Sequence, residues 1–168
     1  MERNLSTIVL TKIEHQIERI DHLVTLIPES RLDWTPSIPN AFSVSVLLGH
    51  LMESLSGFCA VLYAASPDRL HHFMELKNLP VNNRIGPGEA RARIAVYRDH
   101  IREGFAVLQD SDLGRMLPTV FVPEGEAFLT LLLVNSEHLA SHKYQLFVYL
   151  RLLGVQVASK DLYHFSGG

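Results

Sequence analysis

Three histidines and one glutamate are the residues of this sequence whose types and spacing best suit chemistry. His138 and His142 are four residues apart in a segment with helical periodicity. Side chains four residues apart lie one above the other on a helix, so the two rings can converge on one point. Imidazole nitrogens are common ligands of divalent ions, at about 2.0–2.1 Å for zinc. The pair therefore predicts a metal site whose third ligand comes from another element.

His50 is the predicted third ligand. It lies in the apolar run 47–52, and helical bundles build metal sites from side chains on facing helices. Ser54 and Gly57 follow on the same face, and their small size predicts room for a ligand beside the ion. Glu53 is the predicted catalytic residue, since it could be a fourth ligand, an acceptor for a ligand ring or a general base.

A structural interpretation of the histidines stays open beside the metal site. The chain has nine histidines, so a pair at this spacing also arises from composition alone. A buried histidine that bonds to a carbonyl group is a common core feature. His71 and His72 are predicted to be surface residues of a loop rather than a second site, and His100 and Cys59 to be packing residues.

The elements that must position these side chains are four amphipathic helices. Apolar residues recur at three- and four-residue steps in four segments: 5–27, 43–63, 87–108 and 126–153. Prolines mark the connections between them, and Gly154 is suited to end the last helix. The sequence predicts an all-α fold, a four-helix bundle with long loops between helices, formed by residues 1–168 as a single domain.

The fourth predicted helix carries an unusual polar arc. At about 100° per residue, the histidine pair shares a narrow arc with Asn135, Gln145 and Tyr149. This arc borders the most apolar stripe of the helix, so it is predicted to face into the bundle. Polar groups there need partners, because burying one unpaired costs about 1–3 kcal/mol.

Composition excludes several classes of function. The net charge is −3 and the charges are well mixed, which argues against a nucleic-acid surface. Cys59 is the single cysteine, so no internal disulfide can form, and we expect a reducing compartment. The apolar stretch 128–134 is far shorter than the roughly 20 residues of a membrane span, and no secretion signal is visible. A soluble, cytoplasmic protein with a small-molecule substrate is predicted.

Two stretches resemble the DinB-like helical bundles. The run from His138 through His142 and Gln145 to a Leu-Arg pair and Gly154 is similar to the last helix of that family. The run from Phe42 to the His-Leu pair at residues 50 and 51 resembles the motif of its second helix. The resemblance covers nearly the whole chain in the order of its elements.

This resemblance implies a metal-binding bundle, often dimeric. It implies a divalent ion, nickel or zinc or a similar metal, on the three matched histidines, His50, His138 and His142. Some members look like transferases that join a low-molecular-weight thiol to an electrophile, or isomerases that use such a thiol. A metal-dependent hydrolase and a non-catalytic small-ligand-binding bundle remain as alternatives. Tyr144 stands where the family often has glycine, and with Leu133 and Phe147 it makes an apolar outer face that favours a homodimer.

Overall fold

Four long helices form the body of the protein in a computed structural model that describes residues 4–119 and 122–163. The helices are α1 (Leu5–Thr25), α2 (Val44–Ala65), α3 (Pro87–Ala106) and α4 (Phe128–Leu152). Short 3₁₀ helices occupy Glu29–Arg31, His71–Asn78 and Asp110–Gly114. The prediction of an all-α four-helix bundle is confirmed.

The ends of the helices follow from local chemistry. The side chain of Asn4 accepts a hydrogen bond from the Thr7 amide at the start of α1, and Ser43 does the same for α2. Pro87 occupies the first turn of α3, where its missing N–H costs nothing. Gly154 follows α4 with a φ of 82°, a conformation that glycine adopts without a steric penalty.

The helices pack in a ring in the order α1, α3, α2, α4. Each of the four contacts its two neighbours in this ring, so α2 lies between α3 and α4. The apolar stripes meet in one core, in which Ile17, Leu51, Tyr97 and Leu146 are fully buried. Because α2 and α4 pack side by side, the two helices that carry the candidate ligands face each other.

Helix α2 is apolar on almost every face. Among the described residues, it alone is long and apolar enough to cross a membrane by length and composition, with 61% of the relevant window buried inside the protein. A core helix of a bundle has this composition too, so one such helix is weak evidence for a membrane.

The connections contain short elements, and the sequence predicted one of them, a turn or two of helix within 64–85. The 64–85 connection contains the 3₁₀ helix His71–Asn78, which packs against α2. Two short antiparallel strands, β1 (Met116–Leu117) and β2 (Glu126–Ala127), precede α4 and delay its start to Phe128. A one-turn helix, α5 (Ser159–Leu162), packs on α1 and α4. The buried ammonium of Lys143 secures α5 by donating to the backbone oxygen of Leu162 at 2.8 Å.

Candidate metal centre

The three predicted ligands come together between α2 and α4. The ring centroid of His50 lies 4.3 Å from that of His142 and 5.3 Å from that of His138, and the two α4 rings are 4.7 Å apart. Nε2 of His50 is 3.0 Å from Nε2 of His142 and 3.4 Å from Nε2 of His138. Tetrahedral zinc ligands at about 2.0–2.1 Å from the ion are themselves separated by about 3.3 Å. The spacing of these nitrogens therefore fits one shared ion.

Two acceptors hold the outer nitrogen of His50. Its Nδ1 is 2.6 Å from Oδ1 of Asn82 and 2.9 Å from Oε2 of Glu53. An ionised carboxylate has no proton to give, so Nδ1 of His50 carries the hydrogen and donates it. The neutral ring then has its lone pair on Nε2, which points toward the other two histidines.

The outer nitrogen of His142 is held in the same way. Its Nδ1 is 2.9 Å from Oε1 of Gln145, whose Nε2 donates to the hydroxyl of Tyr149 at 3.2 Å. The hydroxyl donates in turn to the backbone oxygen of Phe42 at 3.1 Å, which fixes the orientation of the amide. Nδ1 of His142 therefore donates, and its Nε2 also presents a lone pair.

Two nitrogen lone pairs thus face each other over 3.0 Å, an arrangement that a cation bound between them would stabilise. Burial lowers the pKa of His138, and His50 lowers it further. Burial also lowers the pKa of His142, although the hydrogen bond that its ring donates to Gln145 opposes this effect. A shared proton is disfavoured by these shifts, whereas a metal ion needs neutral imidazoles. The donor set fits a divalent ion.

The structure gives Glu53 a position behind the ring of His50 rather than beside the inner nitrogens. Its carboxylate bonds to Nδ1 of His50, and its side chain is 42% exposed. The sequence left three roles open for Glu53: a fourth ligand, an acceptor for a ligand ring and a general base. The contact with Nδ1 of His50 is the one expected of an acceptor that orients a ligand ring. Its catalytic role stays a prediction.

The small residues of α2 make close contacts instead of leaving open space. Ser54 is 1% exposed, and its hydroxyl lies 3.3 Å from Nδ1 of His138. A Cβ placed on Gly57 would lie 2.5 Å from Oδ1 of Asn135, so the amide of Asn135 fills the expected room. The prediction of space at these two residues is wrong because an α4 side chain occupies part of it.

Sequence reasoning missed Asn82 and its attachment to α2. The backbone amide of Asn82 donates to the oxygen of Gly49 at 3.1 Å, and that of Ile85 donates to the oxygen of Ser45 at 3.2 Å. A Cβ on Gly49 would lie 1.8 Å from the backbone oxygen of Asn83. The one available signal was a glycine inside an apolar helix, which often marks a close backbone approach.

An apolar cavity lies on the neighbouring side of α2. It measures about 190 Å³ and is bounded on one side by the 71–78 segment and the residues that follow it. Its wall includes Cys59, Tyr63, Phe73 and Val81, and none of the three histidines lines it. Val81 directly precedes Asn82. The same connection therefore lines the cavity and supplies an acceptor for Nδ1 of His50.

Fold and site together describe an all-α bundle with a histidine cluster between two facing helices. The sequence matches the DinB superfamily over residues 12–146, which is most of the chain, and the protein belongs to this superfamily. The resemblance drawn from the two helix motifs is thereby confirmed. No functionally curated protein matches the sequence at a significant level.

Two solved structures share the fold. A DinB-like protein from Bacillus subtilis, YjoA, superposes with a TM-score of 0.68 at 16% identity, covering 94% of this chain and 96% of the other. A point mutant of a mycothiol-dependent maleylpyruvate isomerase superposes with a TM-score of 0.60 at 10% identity. In that case the match covers 84% of this chain and 60% of the other. At such identities the likeness concerns the fold alone.

Proposed function

We propose that this protein is a divalent-metal-dependent enzyme that joins a low-molecular-weight thiol to a small electrophile, with the ion held by His50, His138 and His142. The observation that carries the proposal is the pair of lone-pair nitrogens, Nε2 of His50 and Nε2 of His142, that face each other over 3.0 Å. Imidazole ligands suit both zinc and nickel, so these are the proposed metals.

The thiol is proposed by analogy of fold. The isomerase structure described above is named as mycothiol-dependent, and its fold is similar to that of this chain. Function does not follow from fold, so this analogy suggests a thiol cosubstrate and the site must be able to accept one. The histidine cluster supports it, because three protein ligands leave a coordination position for a small molecule.

The residues of the chain have separate roles in this proposal. A bound divalent ion lowers the pKa of a thiol or water that it coordinates, so that a nucleophile forms near neutral pH. Glu53 and Asn82 orient the ring of His50 through Nδ1, and Gln145 orients His142. The carboxylate of Glu53 lies behind the ring of His50, so in this proposal its partly exposed side chain rotates toward the ion, accepts the proton that the thiol loses and passes it to solvent.

The decisive experiment compares His142→Ala with His71→Ala, a substitution of an exposed histidine outside the cluster. Untagged proteins are stripped with a chelator, reloaded with Zn²⁺ or Ni²⁺ and analysed for bound metal. We expect His142→Ala to lose the ion of this cluster and His71→Ala to keep it. Equal metal content and equal ligand binding in both variants would overturn the metal site and favour the non-catalytic bundle.

Activity is tested with a panel of low-molecular-weight thiols and a chromogenic electrophile. We expect turnover that needs both the thiol and the metal, and that falls in His142→Ala. Metal-dependent cleavage of an ester or amide without any thiol would instead favour the hydrolase. Glu53→Gln keeps an acceptor for His50 and removes the base, so we expect metal binding to be retained and kcat to fall.

We also propose a homodimer through the outer face of α4. Leu133 is 48% exposed and Tyr144 is 56% exposed, as an apolar contact surface requires. Phe147, which the sequence placed on the same face, is only 6% exposed, so the proposed interface is narrower. Sedimentation of the native protein and of Tyr144→Ser tests this: we expect a dimer that weakens in the variant, and a monomeric native protein would refute it.

A further inference from the structure

We infer that His72, His100 and Glu103 form a second divalent-metal site, outside the bundle core and separate from the histidine cluster. One ligand atom from each residue lies within 4.8 Å of the other two. His72 belongs to the 3₁₀ helix His71–Asn78, whereas His100 and Glu103 lie one turn apart on α3. The site therefore joins two elements that are far apart in sequence. From the sequence, His72 is predicted to be a surface residue and His100 to be a packing residue.

One nitrogen of the His100 ring is held by the backbone, which leaves the other available as a ligand. Its Nδ1 lies 2.8 Å from the backbone oxygen of Val96, one turn earlier on α3. A carbonyl only accepts, so Nδ1 carries the hydrogen and Nε2 has the free lone pair. Proteins commonly fix metal-binding histidines through such a bond from the other ring nitrogen to a carbonyl. The edge of Phe73, 5.0 Å away between centroids, also restrains this ring.

His72 and Glu103 supply the other two ligands. Nε2 of His72 lies 3.0 Å from both carboxylate oxygens of Glu103. A divalent ion would replace the proton that these groups share, with a carboxylate and a neutral imidazole as its ligands. The set of two imidazoles and one carboxylate is one that zinc uses in proteins.

The distances require a small closure on binding. Ligands of a tetrahedral zinc ion lie about 3.3 Å apart, and the three ligand atoms lie within 4.8 Å of one another, so the widest separation must shrink by at most about 1.5 Å. The side chains of His72 and Glu103 are 46 and 49% exposed and can rotate, while His100 stays anchored. An ordinary surface ion pair would explain the contact between His72 and Glu103. It would not explain why the ring of His100 is held beside them.

A metal ion at this site would link the 71–78 segment, which forms one wall of the apolar cavity, to α3. Phe73 follows His72, is 3% exposed and lines the cavity beside α2. Its ring lies 5.0 Å from the ring of His72 and 5.0 Å from that of His100. An ion shared by α3 and the 71–78 segment would hold this wall in place, so that the segment opens less often.

The test counts Zn²⁺ ions on the chelator-stripped full-length protein by equilibrium dialysis and native mass spectrometry. We expect two ions per chain for the native protein and for His71→Ala, the control in the same segment. His72→Ala and His100→Ala should each lose one ion. His142→Ala should lose the other ion and keep this one, which separates the second site from the proposed function.

Hydrogen exchange supplies an independent readout. Added Zn²⁺ should slow exchange in the 71–78 segment of the native protein and of His142→Ala, but not of His100→Ala. Circular dichroism checks that the variants remain folded. If the number of ions and the exchange rates are the same in His72→Ala, His100→Ala and His71→Ala, the inference is wrong.

Discussion

Replacing Gly49 by alanine should damage the candidate metal centre without touching a proposed ligand. A Cβ on Gly49 would lie 1.8 Å from the backbone oxygen of Asn83. Because that atom belongs to the backbone, no side-chain rotation relieves the clash. The 82–85 connection must move by about 1 Å or more before the contact becomes an ordinary one.

The expected loss of stability follows from the hydrogen bonds that this movement breaks. The connection is attached to α2 by hydrogen bonds from Asn82 to Gly49 and from Ile85 to Ser45. Losing both bonds costs about 2–4 kcal/mol when the groups are left unsatisfied. Alanine recovers about 1 kcal/mol through its higher helix propensity. We therefore expect a net loss of about 1–3 kcal/mol, which lowers the Tm by about 2–12 °C in a chain of this size.

The same movement withdraws Oδ1 of Asn82 from Nδ1 of His50, where the two atoms are 2.6 Å apart. Loss of an acceptor that orients a ligand typically weakens metal binding about 10–100-fold. Since Glu53 remains as a second acceptor for Nδ1 of His50, we expect an effect at the lower end, about 10-fold. Thermal denaturation and competition with a Zn²⁺ chelator measure the two effects. Gly88→Ala is the matched control, since nothing lies within 4 Å of its added Cβ in the first turn of α3. Equal Tm and equal affinity in the two variants would refute this reasoning.

Three further predictions follow from single side chains. Gln145→Leu leaves Nδ1 of His142 without its acceptor, and should weaken Zn²⁺ binding about 10–100-fold in a chelator competition while a circular dichroism spectrum stays native. Burial raises the pKa of the Cys59 thiol to about 12, so it should react with a disulfide reagent at pH 8 only after denaturation, and rapid labelling of the native protein would contradict this. Asp110 accepts bonds from two backbone amides at the start of α1, which lower its pKa. Its contribution to stability should therefore be complete above the unfolded pKa of about 3.9 and disappear as the pH falls through the lower folded value, and Asp110→Asn should flatten that part of the urea-denaturation profile.

The helices could be read from the sequence because their signals are local. Apolar residues at three- and four-residue steps, a serine before α2 and a glycine after α4 depend only on neighbours in the chain. The same periodicity placed His138 and His142 on one face beside an apolar stripe. His50 was found because a polar ring in an apolar helix needs a partner.

The residues that contact and orient the candidate ligands come from distant parts of the chain. Asn82 lies 32 residues from His50, in a connection without helical periodicity, and no local pattern reveals their 2.6 Å contact. His72 and Glu103 are 31 residues apart, and no local pattern reveals their contact either. The space expected at Gly57 depended on Asn135 pointing elsewhere, which only the packing of α2 against α4 decides.

The partners on the outside of the histidine cluster favour the proposed metal site over a purely structural cluster. A neutral imidazole has one donor and one acceptor, so a cluster held by its own hydrogen bonds must alternate the two roles. Here the outer partners of His50 and His142 are acceptors, and Glu53 in particular cannot donate. Both outer nitrogens therefore hold the protons, and both inner nitrogens are acceptors with nothing to accept from each other. Burial lowers the pKa of His142, which disfavours a shared proton, and in the proposed site a divalent ion would satisfy both inner nitrogens.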